Sequence, residues 1–234
     1  DDQHWHISRD VRAAVTSTYF TRGDRVINNS VDPVSDIDDG AARNVLAQAG
    51  VPETAYTILT PGRLHEQKGH LVLLAALGRL VREAGLGPDR IQLVVAGAGP
   101  MREAILEARA REGLEAHVRL VDQQPHATIL GLMRAADLVC MPSLREGFGN
   151  VAIEALMAET LLVVSRTGGL AEIVRDGVNG FSVPPGDADA LAGRLGELVG
   201  AGGAHGIDVA AARADCLERF SLGRQVGAIL AALS

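Results

Sequence analysis

Aromatic residues are scarce in this 234-residue chain, at 3%: one Trp, two Tyr and four Phe. Its core must therefore be filled by aliphatic side chains, which suits strands buried on both faces by helices. Cysteine is nearly absent. Cys140 lies in the apolar run Leu138-Val139-Cys140-Met141 and reads as a small core residue, and neither Cys140 nor Cys216 has metal-ligand spacing. The seven histidines are scattered, His4 and His6 included. A reducing, cytoplasmic setting is the expectation. Positive charge is in deficit, with 22 Lys and Arg against 29 Asp and Glu and a net charge of -7. That excludes a basic stripe for nucleic acid, so any functional cations must be few and locally placed. No apolar run approaches the roughly 20 residues that span a bilayer, and no signal-peptide pattern opens the chain. Membrane contact by other means is left open. The first residue is Asp rather than Met, as in a fragment or a processed chain.

What is present is an aliphatic sequence, 47% hydrophobic, with 27 glycines. This is enough for one sizeable core and a small appendage, not for two nucleotide-binding domains. Six short apolar runs read as strands: Tyr56–Thr60, Ile91–Ala96, Val118–Val121, Leu138–Met141, Leu161–Ser165 and Gly180–Val183. Between them His70–Ala84, Met101–Glu112, Ala127–Ala135, Asn150–Ala158 and Leu170–Arg175 read as helices, the first with Leu71, Leu74, Leu77 and Val81 at helical spacing. About six such units imply right-handed crossovers and an α/β fold with a doubly wound parallel sheet. The tail from Asp187 is helical in pattern, interrupted by Gly200–Gly206, with Ser221 as an N-cap before Leu222–Leu233. A helix-like run, Ser8–Tyr19, belongs to none of these units.

Gly and Pro mark many of the strand-to-helix switches, where open α/β sheets bind ligands. Two of these loops stand out. Gly62-Arg63-Leu64-His65-Glu66-Gln67-Lys68-Gly69 places Arg63 and Lys68 at the ligand edge, where two cations can neutralise a diphosphate. The same charges would equally suit a solvated loop. The second runs from Pro142 to Glu154. Gly147 and Gly149 allow the backbone close to a ligand, and the amides of Gly149, Asn150 and Val151 point from a helix N-terminus, a ready anion site. Glu146 in the loop and Glu154 about one turn into the helix suit sugar hydroxyls better than phosphate. Alone, Glu154 would read as an exposed helix residue.

Order and spacing together resemble the C-terminal domain of the GT-B glycosyltransferases of family GT4, from about Val26 to the end. The matching pieces are Pro61-Gly62-Arg63-Leu64 with Lys68-Gly69, Ala96-Gly97-Ala98-Gly99-Pro100, and Ala136-Asp137 before the strand ending Pro142-Ser143. Next come Glu146-Gly147-Phe148-Gly149 with Glu154, the family's E-x7-E motif, then Thr167-Gly168-Gly169 with Glu172-Ile173-Val174 and Asp176-Gly177-Val178-Asn179-Gly180. Asn29-Ser30-Val31-Asp32 resembles the stretch after the family's interdomain linker, and Ile7-Ser8-Arg9 the end of its N-terminal domain. Residues 1–25 would then be a remnant of that acceptor domain and linker, and 26–234 a Rossmann-like donor-binding domain with C-terminal helices.

The resemblance implies transfer of a sugar from a nucleotide-diphosphate donor to an acceptor hydroxyl, with retained configuration. Arg63 and Lys68 would hold the diphosphate and stabilise its departing charge. Glu154 would accept from the ribose. Glu146 with the amides of Gly147, Phe148 and Gly149 would hold the transferred sugar, and Gly62 and Asn150 would complete the donor contacts. The backbone of Val121, Asp122 and Gln123 would line the base pocket. It implies no metal and no cofactor beyond the donor, an acceptor of unspecified class, and a need for the N-terminal domain for full activity. Rival readings are a non-catalytic nucleotide-sugar module and a sugar-nucleotide epimerase. A dinucleotide site at Gly97-Ala98-Gly99-Pro100 is discounted, since the third glycine and the acidic partner are missing. The chain departs from the family pattern at Ser30, Asp122, Glu159 and Leu161. Asp122 would add a carboxylate near the base. Glu159 would stand where Gly normally supplies a left-handed cap.

Overall fold

The computed structural model describes residues 5–9, 11–13, 25–27, 30, 37–202 and 205–233. Asn29, Val31 and Asp32, and the run from residue 14 to 19, lie outside these. Near the start, β1 (Trp5–His6) pairs in parallel with β2 (Arg25–Val26), which straddles the boundary expected between residues 25 and 26.

The six apolar runs all form strands of one parallel sheet: β3 (Tyr56–Pro61), β4 (Ile91–Ala96), β5 (Val118–Val121), β6 (Leu138–Met141), β7 (Leu162–Ser165) and β8 (Phe181–Val183). Their spatial order is β5-β4-β3-β6-β7-β8, with Leu59 opposite Val94 on one side and Val139 on the other. Alternate residues of each strand enter two separate cores. Leu59, Val94, Val139 and Val164 face one side, and Ile58, Leu93, Leu138 and Val163 the other. Both faces are covered, which is why the strands read as continuous apolar runs. Each fully buried Leu or Ile contributes about 2 kcal/mol.

The helices are α1 (Asp39–Gln48), α2 (His70–Ala84), α3 (Arg102–Arg111), α4 (His126–Ala135), α5 (Asn150–Met157), α6 (Leu170–Ile173), α7 (Ala188–Gly200), α8 (Val209–Phe220) and α9 (Leu222–Leu233). The doubly wound arrangement puts α1, α4, α5 and α8 against the first core, and α2, α3 and α7 against the second. None of the described helices is long and apolar enough to cross a membrane. Cys140 is fully buried, and burial pushes its thiol up to about 12, as expected of a core residue.

Three local differences from the sequence expectation have physical causes. In α2 the buried stripe is Leu73, Leu74, Leu77 and Leu80, while Leu71 is 38% exposed. Residues 71–77 are apolar on nearly every side, so periodicity alone does not choose the face. Helix α6 stops at Ile173 rather than Arg175 because Val174 is extended and Asn179 Oδ1 takes the Arg175 amide at 2.7 Å. Helix α1 is not among the expected elements. It is poor in buried side chains, with Ala42 alone fully covered, and is held by the Asp38 side chain accepting from Ala41 N at 2.9 Å. It also approaches α4 closely, since a Cβ on Gly131 would lie 2.5 Å from the Asp38 carbonyl oxygen.

Candidate donor-binding site

The strand order reverses between β3 and β6, so the loops after these central strands meet at the switch point of the sheet. They are the two loops singled out by sequence, residues 62–69 and 142–149. After β3 the chain makes one short turn, Glu66–Lys68, and Gly69 closes it at φ 68. A Cβ there would lie 1.9 Å from Pro142 O, so only glycine lets the loops touch. Leu144 N then donates to Gln67 O at 2.7 Å.

This contact brings Lys68 to Glu146. Lys68 Nζ donates to Glu146 Oε2 at 2.6 Å, with the side chains 30% and 13% exposed. Ser143 Oγ lies 3.4 Å from the same oxygen. Lys68 and Glu146, together with Gln67, Leu144, Arg145, Gly147 and Thr167, line a cavity of about 540 Å³. Next in the chain, the His70 imidazole is buried and held down to about 4, first by desolvation and then by the Lys68 charge.

The other two expected charged residues line a second cavity, of about 490 Å³. Arg63 and Glu154 face it together with Gly62, Gln123, Gln124, His126, Ile129 and Val151. Arg63 is exposed, and among the described residues no hydrogen bond or ion pair engages its guanidinium. Glu154 rises from the second turn of α5, 16% exposed, and its Oε1 lies 3.2 Å from His126 Nε2. The four charged residues are thus gathered on one sheet edge as two pairs in two cavities. The loop 62–69 supplies a cation to each.

Gly149, at φ 103, opens α5 without a side-chain cap, which leaves the first amides of that helix for another partner. Asn150 is exposed at this tip. The Phe148 ring is buried and packs edge-on against Phe220 at 5.8 Å, so what Phe148 can offer a ligand is its backbone. Val121 is a buried core residue and does not line the second cavity. Asp122 is 79% exposed and turned to Arg102 at 2.8 Å, and the cavity is lined instead by Gln123 and Gln124. His126 was not foreseen. It opens α4 beyond β5 at the ligand edge, which is the signal that could have found it. Gly97 and Gly99 pack the β4 loop onto the β3 loop, since Cβ atoms there would lie 1.9 Å from Gly62 O and 2.3 Å from Leu64 O.

Residues 43–201 match the family model described as glycosyl transferases group 1. A D-inositol 3-phosphate glycosyltransferase of Corynebacterium urealyticum is 35% identical over 178 residues, covering 72% of this chain and 42% of that protein. An uncharacterized glycosyltransferase of Methanocaldococcus jannaschii is 32% identical over 220 residues, 92% of this chain and 55% of the relative. The chain therefore spans about half the length of these relatives. Among solved structures, HepE of Anabaena in complex with UDP superposes with a TM-score of 0.83 at 25% identity, covering 98% of this chain and 62% of that one. The fold is the GT-B one of these neighbours. By sequence and by fold, the chain belongs to the group 1 glycosyl transferases.

Proposed function

We propose that this chain is mainly the donor-binding half of a retaining, GT4-type glycosyltransferase, which moves a sugar from a nucleotide-diphosphate donor to an acceptor hydroxyl. One observation carries the reading. A single loop supplies a cation to each of two cavities at the switch point, and each cavity is also lined by one carboxylate. In this reading the nucleoside occupies the Arg63–Glu154 cavity, with Glu154 accepting from ribose hydroxyls and the backbone beyond Val121, at Asp122 and Gln123, beside the base. The diphosphate lies across Arg63, Lys68 and the uncapped tip of α5 at Gly149 and Asn150, with Gly62 giving it room. The sugar faces Glu146 and the amides of Gly147, Phe148 and Gly149. Lys68 has three donors, so it can keep Glu146 and still meet a phosphate oxygen.

When the sugar–oxygen bond breaks, the electron pair stays with the diphosphate. Arg63, Lys68 and the helix tip meet that charge, the electrostatic task that a metal performs in other transferases, and we propose that no resident metal is needed. The UDP held by HepE supports a nucleoside diphosphate as ligand. The acceptor is proposed to be held mainly by an N-terminal domain, which full activity would require, and the reaction to occur on the cytoplasmic side.

The test uses the full-length protein. Glu146→Ala should lower transfer at least about a hundredfold, while leaving nucleotide affinity within a few-fold. Unchanged transfer would make the domain a non-catalytic nucleotide-sugar module. Sugar or epimer released without an acceptor would make it an epimerase. Calorimetry with UDP-, GDP- and ADP-sugars identifies the base, and product anomer analysis by NMR tests retention.

A further inference from the structure

Ser8 is far in sequence from the donor site and fully buried, at 0% exposure, although its neighbours Ile7 and Arg9 are exposed. Its hydroxyl makes two bonds. It accepts from Val11 N at 3.1 Å, capping a helical turn, and it donates to Gly147 O at 2.7 Å across 139 positions of sequence. Beside it, Arg9 N donates to Glu172 Oε1 at 2.7 Å. The segment before the sheet is therefore stitched to the glycine loop and to α6 at once.

The loop it grips is held from its other side as well. Gly169 N donates to Glu146 O at 3.3 Å, and a Cβ on Gly169 would lie 2.2 Å from Phe148 O. Between these fixed points stands Gly147, with no side chain of its own to set its peptide plane. A trans peptide points its N–H opposite its C=O. Holding Gly147 O on the Ser8 side therefore aims the Phe148 N–H the opposite way, and fixes the backbone that carries Glu146.

We propose that Ser8 is a positioning residue for the sugar-binding loop: its hydroxyl sets the Gly147–Phe148 peptide, and so orients the groups that hold the transferred sugar. The proposal rests on the donor-site reading above and adds a residue outside the donor-binding domain to its machinery. Ser8 has no bond to Arg63, Lys68 or Glu154, so its influence should fall on the sugar and spare the nucleotide.

Calorimetry on the 234-residue chain tests this with UDP and UDP-glucose, or with the GDP or ADP pair where those bind instead. The quantity read is the ratio of the two affinities. Ser8→Ala should shift that ratio about fivefold to tenfold against the sugar nucleotide and leave the nucleoside diphosphate unchanged, with Ser8→Thr restoring it. Arg9→Pro removes the bond to Glu172 but suits the first turn of a helix, and should leave the ratio alone. An unchanged ratio in Ser8→Ala overturns the proposal. So does equal weakening of both ligands, accompanied by a lower unfolding midpoint, which would make Ser8 a support of the fold alone. No binding of any nucleotide by the unsubstituted chain overturns the donor-site reading, and this proposal with it.

Discussion

Arg63 and Lys68 sit on the same loop and were assigned the same task, yet the fold treats them differently. Lys68 is drawn into a partly buried pair with Glu146 at 2.6 Å. Arg63 stands exposed at the rim of the neighbouring cavity, beside Glu154, which His126 occupies at 3.2 Å. The Lys68 region is integral to the structure, because its ion pair, the Gly69 turn and buried His70 are contiguous. The Arg63 region is an open receptacle. A charge that contributes to the fold as well as to binding cannot be removed without disturbing both; a rim charge can.

The comparison is broken most severely at Gly69, the turn on which the Lys68 region depends. Gly69→Ala would put a Cβ 1.9 Å from Pro142 O at φ 68, and should cost about 2–4 kcal/mol in urea unfolding. It should also separate Lys68 from Glu146. A smaller effect sharpens the contrast. Lys68→Ala leaves the 13%-exposed Glu146 carboxylate without its cation, and should lower stability by about 1–3 kcal/mol as well as weaken nucleotide binding. Arg63→Ala should weaken nucleoside diphosphate binding about tenfold and leave the unfolding midpoint unchanged. Equal stability losses would dissolve the distinction.

His70 gives the pair a pH dependence. Its folded pKa, about 4, lies below the ordinary 6.5, so the unfolded chain binds the proton more readily. That stability is complete above pH 6.5 and is lost as pH falls toward 4. The expected loss is about 2 kcal/mol between neutrality and about pH 5, and His70→Gln should flatten it. The smallest effect lies away from both regions. Glu159 takes φ 57 at the end of α5. Glu159→Gly should add about 1 kcal/mol, raising the melting temperature by about 2–4 °C, with no change in binding.

Some of this was legible in the residues. The strands were readable because both faces of a parallel sheet are covered, which makes each strand an unbroken apolar run. The left-handed conformation expected at Glu159 is observed, because the helix must end there whatever residue stands at its cap. Helix α1 was not legible, since only Ala42 in it is fully buried and much of its support, the Asp39–Arg134 pair and the close approach to Gly131, comes from α4, far along the chain. His126 was legible only by its place after β5, and Ser8 not as part of the donor site, because the bonds that bring them there join segments far apart in the chain.

The sequence by itself determined the class of the fold, the order of its units and the two loops at the ligand edge, because apolar period and glycine placement are local properties. Tertiary structure alone decided that Lys68 pairs with Glu146 while Arg63 shares a cavity with Glu154, that Asp122 turns to Arg102, and that Ser8 reaches Gly147. Those partnerships join residues apart in the chain, and only the packing of the loops and of the segment before the sheet brings them together.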